Sequence, residues 1–121
     1  MDIRKLQKIV VSALEDIKGK DIEVINTTKL TSMFDRLVIA SGDSNRQVKS
    51  LARNVQEKVR EAGGEVVSVE GEDTGEWVLV DLGDIVVHVM QPTVRQYYNL
   101  EELWQATPAQ RKKALAEPDE A

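Results

Sequence analysis

The stretch WVLVDLGDIVVHVM, residues 77–90, decides the fold. It contains two runs of mainly apolar residues, Trp77–Asp81 and Ile85–Met90, joined by the short link LGD. β-Branched residues favour strands, and Gly83 in the link takes a positive φ without strain. The stretch therefore predicts a β-hairpin whose two strands belong to the central sheet of the fold.

Two long helices are predicted before the hairpin. Apolar residues recur every three or four positions over residues 3–17 and again over residues 48–62, which is the period of a helix with one buried face. The candidate capping residues are Asp2 and Gly19 (as C′) for the first helix, and Asp43 or Ser44 with Gly63 and Gly64 for the second.

Three further strands are predicted, at residues 22–26, 37–41 and 65–69. The strand at 37–41, LVIAS, is almost wholly apolar, as expected of a central strand covered on both faces. With a short turn or helix after Pro92, the order α-β-β-α-β-β-β predicts an α/β fold of the two-layer α+β kind. It contains a mixed sheet of about five strands with two long helices packed on it. The strand order within the sheet does not follow from the sequence.

Composition excludes several classes of protein and of site. A chain of 121 residues suits one domain, which we place at residues 1–105, followed by a polar tail at 106–121 with a candidate short helix. Cysteine is absent and one histidine is present, which excludes disulfides, thiolate metal sites and His-rich zinc sites. No apolar run approaches the roughly 20 residues of a membrane span, and the N-terminus lacks a signal peptide's apolar core. We expect a cytoplasmic protein without a membrane partner.

The charge is unevenly distributed along the chain. Residues 1–60 hold 12 Lys/Arg and 8 Asp/Glu, whereas residues 61–94 hold 8 acids and no Lys or Arg. Such an acidic segment attracts a basic partner and repels phosphate, although acids at turns and strand ends also serve solubility alone. The overall net charge of −5 argues mildly against direct binding of nucleic acid.

No convincing set of catalytic residues appears. Asp81 and Asp84 lie three apart across the predicted turn, whereas paired metal-binding carboxylates on a strand lie two apart and point the same way. Residues 41–44, SGDS, lack the glycines and lysine of a P-loop, which favours helix capping over phosphate binding. His88 lies within an apolar strand, which favours a half-buried structural histidine whose ring nitrogens are satisfied locally. A hydrolase pair of His88 with Ser41 or Ser44 stays open. We expect no catalytic residue, no metal and no cofactor.

Three blocks of the sequence resemble the ribosomal silencing factor family, also called the Iojap or RsfS family. They are FDRLVIASGDSNRQVKSLA at 34–52, VEGEDTGEWVLVDLGDIVVHVM at 69–90 and RQYYNLEELW at 95–104. The resemblance extends from about residue 2 to residue 105, and it implies a fold similar to a nucleotidyltransferase domain without its catalytic motif.

The resemblance also implies a function that is not enzymatic. It implies binding to the large ribosomal subunit through the ribosomal protein numbered fourteen, on the face that meets the small subunit. A protein bound there blocks subunit joining and represses translation when nutrients are scarce. The alternatives are a large-subunit assembly factor and a nucleotidyltransferase-like enzyme. Homodimers are expected from relatives, and direct contact with RNA stays open.

Positions that match the family's motifs nominate a recognition set in the acidic segment and just after it. Four of the five aromatic residues of the chain also lie there, and the sequence leaves open whether they form contacts or fill the core. The candidate partner-binding residues are Glu70, Asp73, Trp77, Asp81, His88, Tyr97, Tyr98 and Glu101.

Overall fold

The computed structural model describes residues 1–105, which form one mixed β-sheet flanked by helices. The helices are α1 (Ile3–Asp16), α2 (Asn45–Glu61), α3 (Pro92–Tyr98) and α4 (Leu100–Gln105). The strands are β1 (Lys20–Asn26), β2 (Arg36–Ser41), β3 (Ser68–Glu70), β4 (Trp77–Asp81) and β5 (Ile85–Met90). Their order is β1-β2-β5-β4-β3; β2 and β5 are parallel and the other neighbours are antiparallel. The predicted mixed α+β fold is confirmed.

The hairpin at 77–90 forms as predicted. β4 and β5 pair in register from Trp77 opposite Met90 to Asp81 opposite Val86. Gly83 has φ +88°, and its N–H donates to the Asp81 carboxylate at 2.8 Å. All six residues of β5 are buried, because β5 is the middle strand and is covered on both faces.

Helices α1 and α2 cover one face of the sheet, here called the first face. Their apolar sides pack on alternate residues of β2, β4 and β5, which project to that face because strand side chains alternate. The buried residues of this main core are Leu6, Val10, Ala13, Leu14, Val38, Ala40, Val48, Leu51, Ala52, Val55, Val59, Val78, Val80, Leu82, Ile85, Val87 and Val89.

The opposite or second face carries a smaller apolar cluster, which α3 and α4 cover in part. Its buried members are Ile25, Leu37, Ile39, Val86 and Met90, and Phe34, Trp77, Leu79, Val94, Leu100 and Trp104 pack against them. Phe34 and Trp104 meet edge to face with ring centroids 5.2 Å apart. Trp104 therefore fixes the end of the described chain to the sheet, and the C-terminal helices add a partial layer to the two that were predicted.

The ends of the long helices match the predicted caps with one correction. Asp2 accepts from the Arg4 N–H, and Ser44 Oγ accepts from the Gln47 N–H, so both are N-caps. Gly19 is not the C′ residue of α1, because Lys18 takes the left-handed conformation at φ 61° and Gly19 follows it. Gly19 is instead placed where a Cβ would lie 2.9 Å from the Leu14 carbonyl oxygen.

The predicted strand at 65–69 is shifted and shorter in the structure. β3 contains only residues 68–70, and it pairs with β4 alone at the edge of the sheet. Val67 lies just before β3; its N–H donates to the Asp81 carbonyl oxygen at 2.8 Å, but its side chain is 61% exposed. The proposed domain boundary after residue 105 stays a prediction, and the candidate tail helix within 106–121 lies outside the described residues.

A comparison of two glycine substitutions tests how tightly the chain turns before β4. Gly63 and Gly71 both have φ near +85°, but a Cβ at Gly63 meets open space, whereas one at Gly71 would lie 2.0 Å from the Trp77 carbonyl oxygen. We expect Gly63→Ala to destabilise the fold by roughly 1–2 kcal/mol. The free energy of unfolding of Gly71→Ala, measured in urea, should be about 1–3 kcal/mol lower than that of Gly63→Ala, because the backbone at Gly71 must also move. Equal losses would contradict this close approach.

Candidate partner-binding surface

One row of side chains crosses the whole second face and includes two of the predicted contact residues. Cross-strand pairing places Glu23, Ile39, His88, Leu79 and Glu70 side by side, from β1 through β2, β5 and β4 to β3. Helix α4 contacts β1, and α3 extends from Glu23 of β1 to Trp77 of β4 through its Arg95 and Tyr98. Farther along the row, Leu79 is half-buried and Glu70 is exposed. The second face is thus covered near β1 and open near β3.

His88 lies near the middle of this row and holds a tryptophan in place. It is 8% exposed, and its Nδ1 accepts a hydrogen bond of 2.9 Å from Trp77 Nε1. An accepting Nδ1 places the ring proton on Nε2, which is the neutral imidazole. Burial lowers the pKa of His88 to about 4, so the ring stays neutral near pH 7. The predicted local contact of the ring is confirmed for Nδ1, but His88 is buried rather than half-buried.

Three aromatic side chains, the half-buried Trp77 and the exposed Tyr97 and Tyr98, form a continuous patch. Trp77 and Tyr98 have ring centroids 4.8 Å apart, and Tyr97 and Tyr98 meet nearly edge to face at 5.0 Å. Tyr97 is 71% exposed and Tyr98 is 52% exposed. We call Trp77, Tyr97 and Tyr98 the aromatic surface. They border a shallow depression of about 430 Å³ that Thr74, Glu76, Thr93 and Val94 complete.

The tyrosines stand where they do because α3 is short and is fixed at both ends. Pro92 occupies the first turn of α3, where its missing N–H breaks no helical hydrogen bond. Asn99 takes the left-handed conformation at φ 48° and ends the helix directly after Tyr98. Asn99 is one of the two residue types other than glycine that visit this conformation most readily. The tyrosines therefore occupy the last turn of α3.

A single arginine fastens α3 to α4 and to the sheet. Arg95 has a side chain only 12% exposed, and its Nη1 donates to Ser41 Oγ at 2.9 Å. Its Nε pairs with the Glu101 carboxylate, and its Nη2 lies 3.7 Å from a carboxylate oxygen of Glu23. Glu101, predicted as a contact residue, is thus 18% exposed and engaged within the chain. We leave it out of the contact surface.

The remaining predicted residues lie in the β4–β5 turn and at what we call the acidic edge, the exposed residues Glu70, Glu72, Asp73 and Glu76. Asp81 is half-buried and caps the β4–β5 turn through its carboxylate, so the turn interpretation of this residue is confirmed. Glu70 and Asp73 are exposed on β3 and in the loop of residues 71–76. This loop folds back onto the first residue of β4, and it places acids beside the aromatic surface. Glu76, which the sequence did not single out, lies in the depression itself.

Sequence reasoning missed the network around Arg95. The motif block RQYY draws attention to the arginine, but Glu23 is 72 positions earlier in the chain (95 − 23) and carries no motif signal. The sequence draws attention to Ser41 as part of a strand-to-helix turn and as a candidate nucleophile, but not as a partner of Arg95. Their proximity follows from the parallel pairing of β2 with β5, which places the end of β2 beside the start of α3.

Within residues 1–105 no three His, Asp or Glu side chains converge as metal ligands. Over the same range no helix is long and apolar enough to cross a bilayer. The fold and this surface define a small α+β domain whose most distinctive exposed feature is a set of aromatic rings beside an acidic edge.

Comparison with known proteins supplies the family. The chain matches the family model described as ribosomal silencing factor during starvation over residues 1–121, and it belongs to this family. It is 60% identical over 104 residues to the ribosomal silencing factor of Chromobacterium violaceum, which covers 86% of this chain and 85% of that protein. A crystal structure of a C. violaceum protein has a TM-score of 0.86 at 58% identity and covers 88% of this chain and 89% of its own.

The family extends to organelles. The mouse protein named mitochondrial assembly of ribosomal large subunit protein 1 is 32% identical over 99 residues. The match covers 79% of this chain and 43% of the mouse protein.

Titration of His88 provides a test of its buried, neutral state. The pKa is 6.5 for an ordinary histidine and about 4 for His88 in the folded protein. At a pH between these two values, His88 is protonated in the unfolded chain but neutral in the folded chain. The free energy of unfolding should therefore decrease by about 3 kcal/mol as the pH falls from about 6.5 to 4. His88→Gln, which keeps an acceptor for Trp77, should remove this component from urea unfolding followed over that range. An NMR pKa near 6.5 in the folded protein would contradict the assignment.

Substitution of Arg95 tests whether its network holds the aromatic surface. Arg95→Met leaves the Glu101 carboxylate without its cation and should lower the free energy of unfolding by about 1–3 kcal/mol. The near-ultraviolet circular dichroism of the Trp77–Tyr98 pair should weaken as α3 loosens. Arg4→Met serves as the control, because the Arg4–Asp2 ion pair is exposed and such pairs contribute about 0–1 kcal/mol. Similar stability losses in both variants would refute the role of Arg95.

Proposed function

We propose that this protein binds the large ribosomal subunit through its aromatic surface and thereby prevents the small subunit from joining. The partner is a cationic ribosomal protein on the face between the subunits, the one numbered fourteen in the family's terms. Two proteins cannot occupy one surface, so the fraction of large subunits withheld from translation follows from affinity and concentration. The protein acts in the cytoplasm as a repressor of translation when nutrients are limiting.

The single observation that carries this proposal is the exposure of ordered aromatic rings. Tyr97 and Tyr98 keep more than half of their surface in water, although apolar residues on the first face are buried. Trp and Tyr are enriched among the residues that dominate binding energy at protein interfaces. Because Trp77 is held by His88 and packs against Tyr98, little side-chain freedom is lost when a partner covers these rings.

The acidic edge indicates that the proposed partner is positively charged. Glu70, Glu72, Asp73 and Glu76 are all exposed around the loop that leads into Trp77. Carboxylates at the rim of an interface raise the rate of association with a cationic protein and orient it. The aromatic rings then supply affinity once water is excluded, while the acids supply selection for a basic surface.

We also propose that the protein is not an enzyme and needs no cofactor. His88 is buried and engaged with Trp77, and Asp81 caps a turn. Ser41 Oγ accepts from Arg95, and Ser44 caps α2. The groups considered for hydrolysis or nucleotidyl transfer are therefore each in a structural contact. A Ser44–His88 pair would require His88 to face the first turn of α2, whereas its side chain lies on the second face of the sheet, away from α2.

A second candidate function uses the same surface. The name of the mouse relative describes assembly of the mitochondrial large subunit, and an assembly factor also binds a ribosomal protein of that subunit. A homodimer, expected from the resemblance, stays a prediction. A deletion strain separates the two functions, because an assembly role predicts accumulation of large-subunit precursors and a silencing role predicts normal precursors with excess subunit joining in starvation.

The proposal is tested with purified ribosomal subunits and single substitutions in the aromatic surface. Wild-type protein should sediment with the large subunit and reduce the amount of joined ribosomes. Trp77→Ala and Tyr98→Ala should each weaken this binding tenfold or more, which is about 1.4 kcal/mol or more. The reason is that each removes a desolvated ring at the centre of the interface.

Met33→Ala is the matched control for these substitutions. Met33 is 82% exposed but lies in the β1–β2 loop, at the end of the strands away from Trp77. It should bind as the wild type does. Folded Trp77→Ala and Tyr98→Ala proteins that keep full affinity would reject the aromatic surface as the binding site, and failure of the wild type to bind large subunits would reject the function.

A further inference from the structure

The outer side of α2 carries a row of cations that the proposed protein contact does not use. Arg46, Lys49, Arg53 and Arg60 are spaced by three, four and seven residues, which places them within an arc of about 60° on the helix. We call these four residues the basic ridge. It extends along about 21 Å of α2, at 1.5 Å of rise per residue.

The ridge faces solvent rather than the core. The buried residues of α2, including Val48, Val55 and Val59, lie on the opposite side of the helix and pack on the first face of the sheet. The side chains of the three arginines are exposed and make no hydrogen bond or ion pair with any described residue. Lys49 donates only to the backbone carbonyl of Asp73, at 3.3 Å. The ridge therefore has donors available for a ligand.

The ridge has the composition of a phosphate-binding surface rather than of a protein interface. Within residues 1–105 the exposed large apolar side chains are Met1, Met33, Val67, Tyr97 and Tyr98, and none of them belongs to α2. Protein interfaces need such anchors at their centre, whereas phosphate contacts need cations and hydrogen-bond donors. A guanidinium group matches two phosphate oxygens at once. Glu57 lies between Arg53 and Arg60 on the same side of α2, so the net charge of the row is +3 (four cations and one acid).

The length of the ridge favours a polyanion over a single phosphate group. Four cations in a straight line over about 21 Å cannot all reach one phosphate, but they can follow the phosphates along a helical nucleic acid. We propose that the basic ridge binds the phosphate backbone of structured ribosomal RNA. The proposal rests on the proposed function for its choice of RNA, because a protein bound to the large subunit lies next to ribosomal RNA.

The ridge and the aromatic surface lie on opposite sides of the loop of residues 71–76. Lys49 packs against the loop of residues 71–76, and this loop leads directly into Trp77. The acids of the loop separate the two surfaces, so phosphate is repelled from the rings and attracted to α2. One bound molecule can therefore contact a ribosomal protein with its second face and RNA with α2 at the same time.

The test compares two triple substitutions that remove equal charge. Arg46→Gln/Arg53→Gln/Arg60→Gln neutralises the ridge, and Arg4→Gln/Lys5→Gln/Lys8→Gln neutralises three exposed cations of α1. Glutamine has a helix propensity close to that of arginine and lysine, so both variants should fold, as far-ultraviolet circular dichroism can verify. The probe is large-subunit ribosomal RNA freed of protein, in filter-binding assays between 50 and 200 mM KCl, a range typical of such titrations.

The expected result is a selective loss in the ridge variant. Its affinity for the RNA at about 100 mM KCl should fall tenfold or more. The slope of log K against log [KCl] should become shallower by about 2–3, as expected when three phosphate contacts are lost. The α1 variant should stay within about twofold of the wild type. Equal losses in both variants, an unchanged ridge variant, or a wild type that does not bind this RNA would each overturn the proposal.

Two further measurements separate this proposal from the proposed function. Trp77→Ala should lose binding to intact large subunits but retain binding to protein-free RNA, and the ridge variant should still bind the isolated ribosomal protein. A ridge variant that binds intact subunits poorly but protein-free RNA normally would show that a protein is the ligand of the ridge. If neither the wild type nor any variant binds intact subunits, the proposed function is rejected. The RNA-binding measurements then test the RNA contact by themselves.

Discussion

The partly buried guanidinium group of Arg95 determines how the second face of this protein is presented. A cation with a side chain only 12% exposed has to be paired, and its partners come from β1, from the end of β2 and from α4. Those partners fix the position of α3, and the last turn of α3 carries Tyr97 and Tyr98. The aromatic surface is thus a consequence of an ionic network beneath it rather than of apolar packing alone.

His88 has a similar relation to Trp77. A histidine on the middle strand is costly to bury in its charged form, and the sheet keeps it neutral with Nδ1 as an acceptor. The indole N–H of Trp77 satisfies that acceptor, which fixes the ring against Tyr98. Two polar side chains that sequence motifs suggest as contacts, His88 and Glu101, therefore act inside the molecule and position the rings that stay outside.

The features predicted from the sequence are those with a strong local signal. The hairpin at 77–90 and the apolar strand at 37–41 depend on patterns of neighbouring residues, and both form with nearly the predicted bounds. The helix caps at Asp2 and Ser44 are equally local. Gly19 was misplaced by one residue because Lys18 accepts the left-handed conformation that a glycine would take more easily. The bounds of β3 depend on how many of its residues pair with β4, and no local sequence pattern predicts that number.

The candidate site was predictable in its location but not in its contacts. The motifs and the acidic segment identified the region from Glu70 to Glu101, yet the separation into exposed rings and internal partners required the strand order. The row of cross-strand neighbours from Glu23 to Glu70 exists only because β5 lies between β2 and β4.

A cryo-electron microscopy map of the large subunit with this protein bound tests the central claim most directly. The account predicts that Trp77 and Tyr98 lie buried against a ribosomal protein on the face that receives the small subunit. A bound molecule whose aromatic rings point into solvent would contradict it.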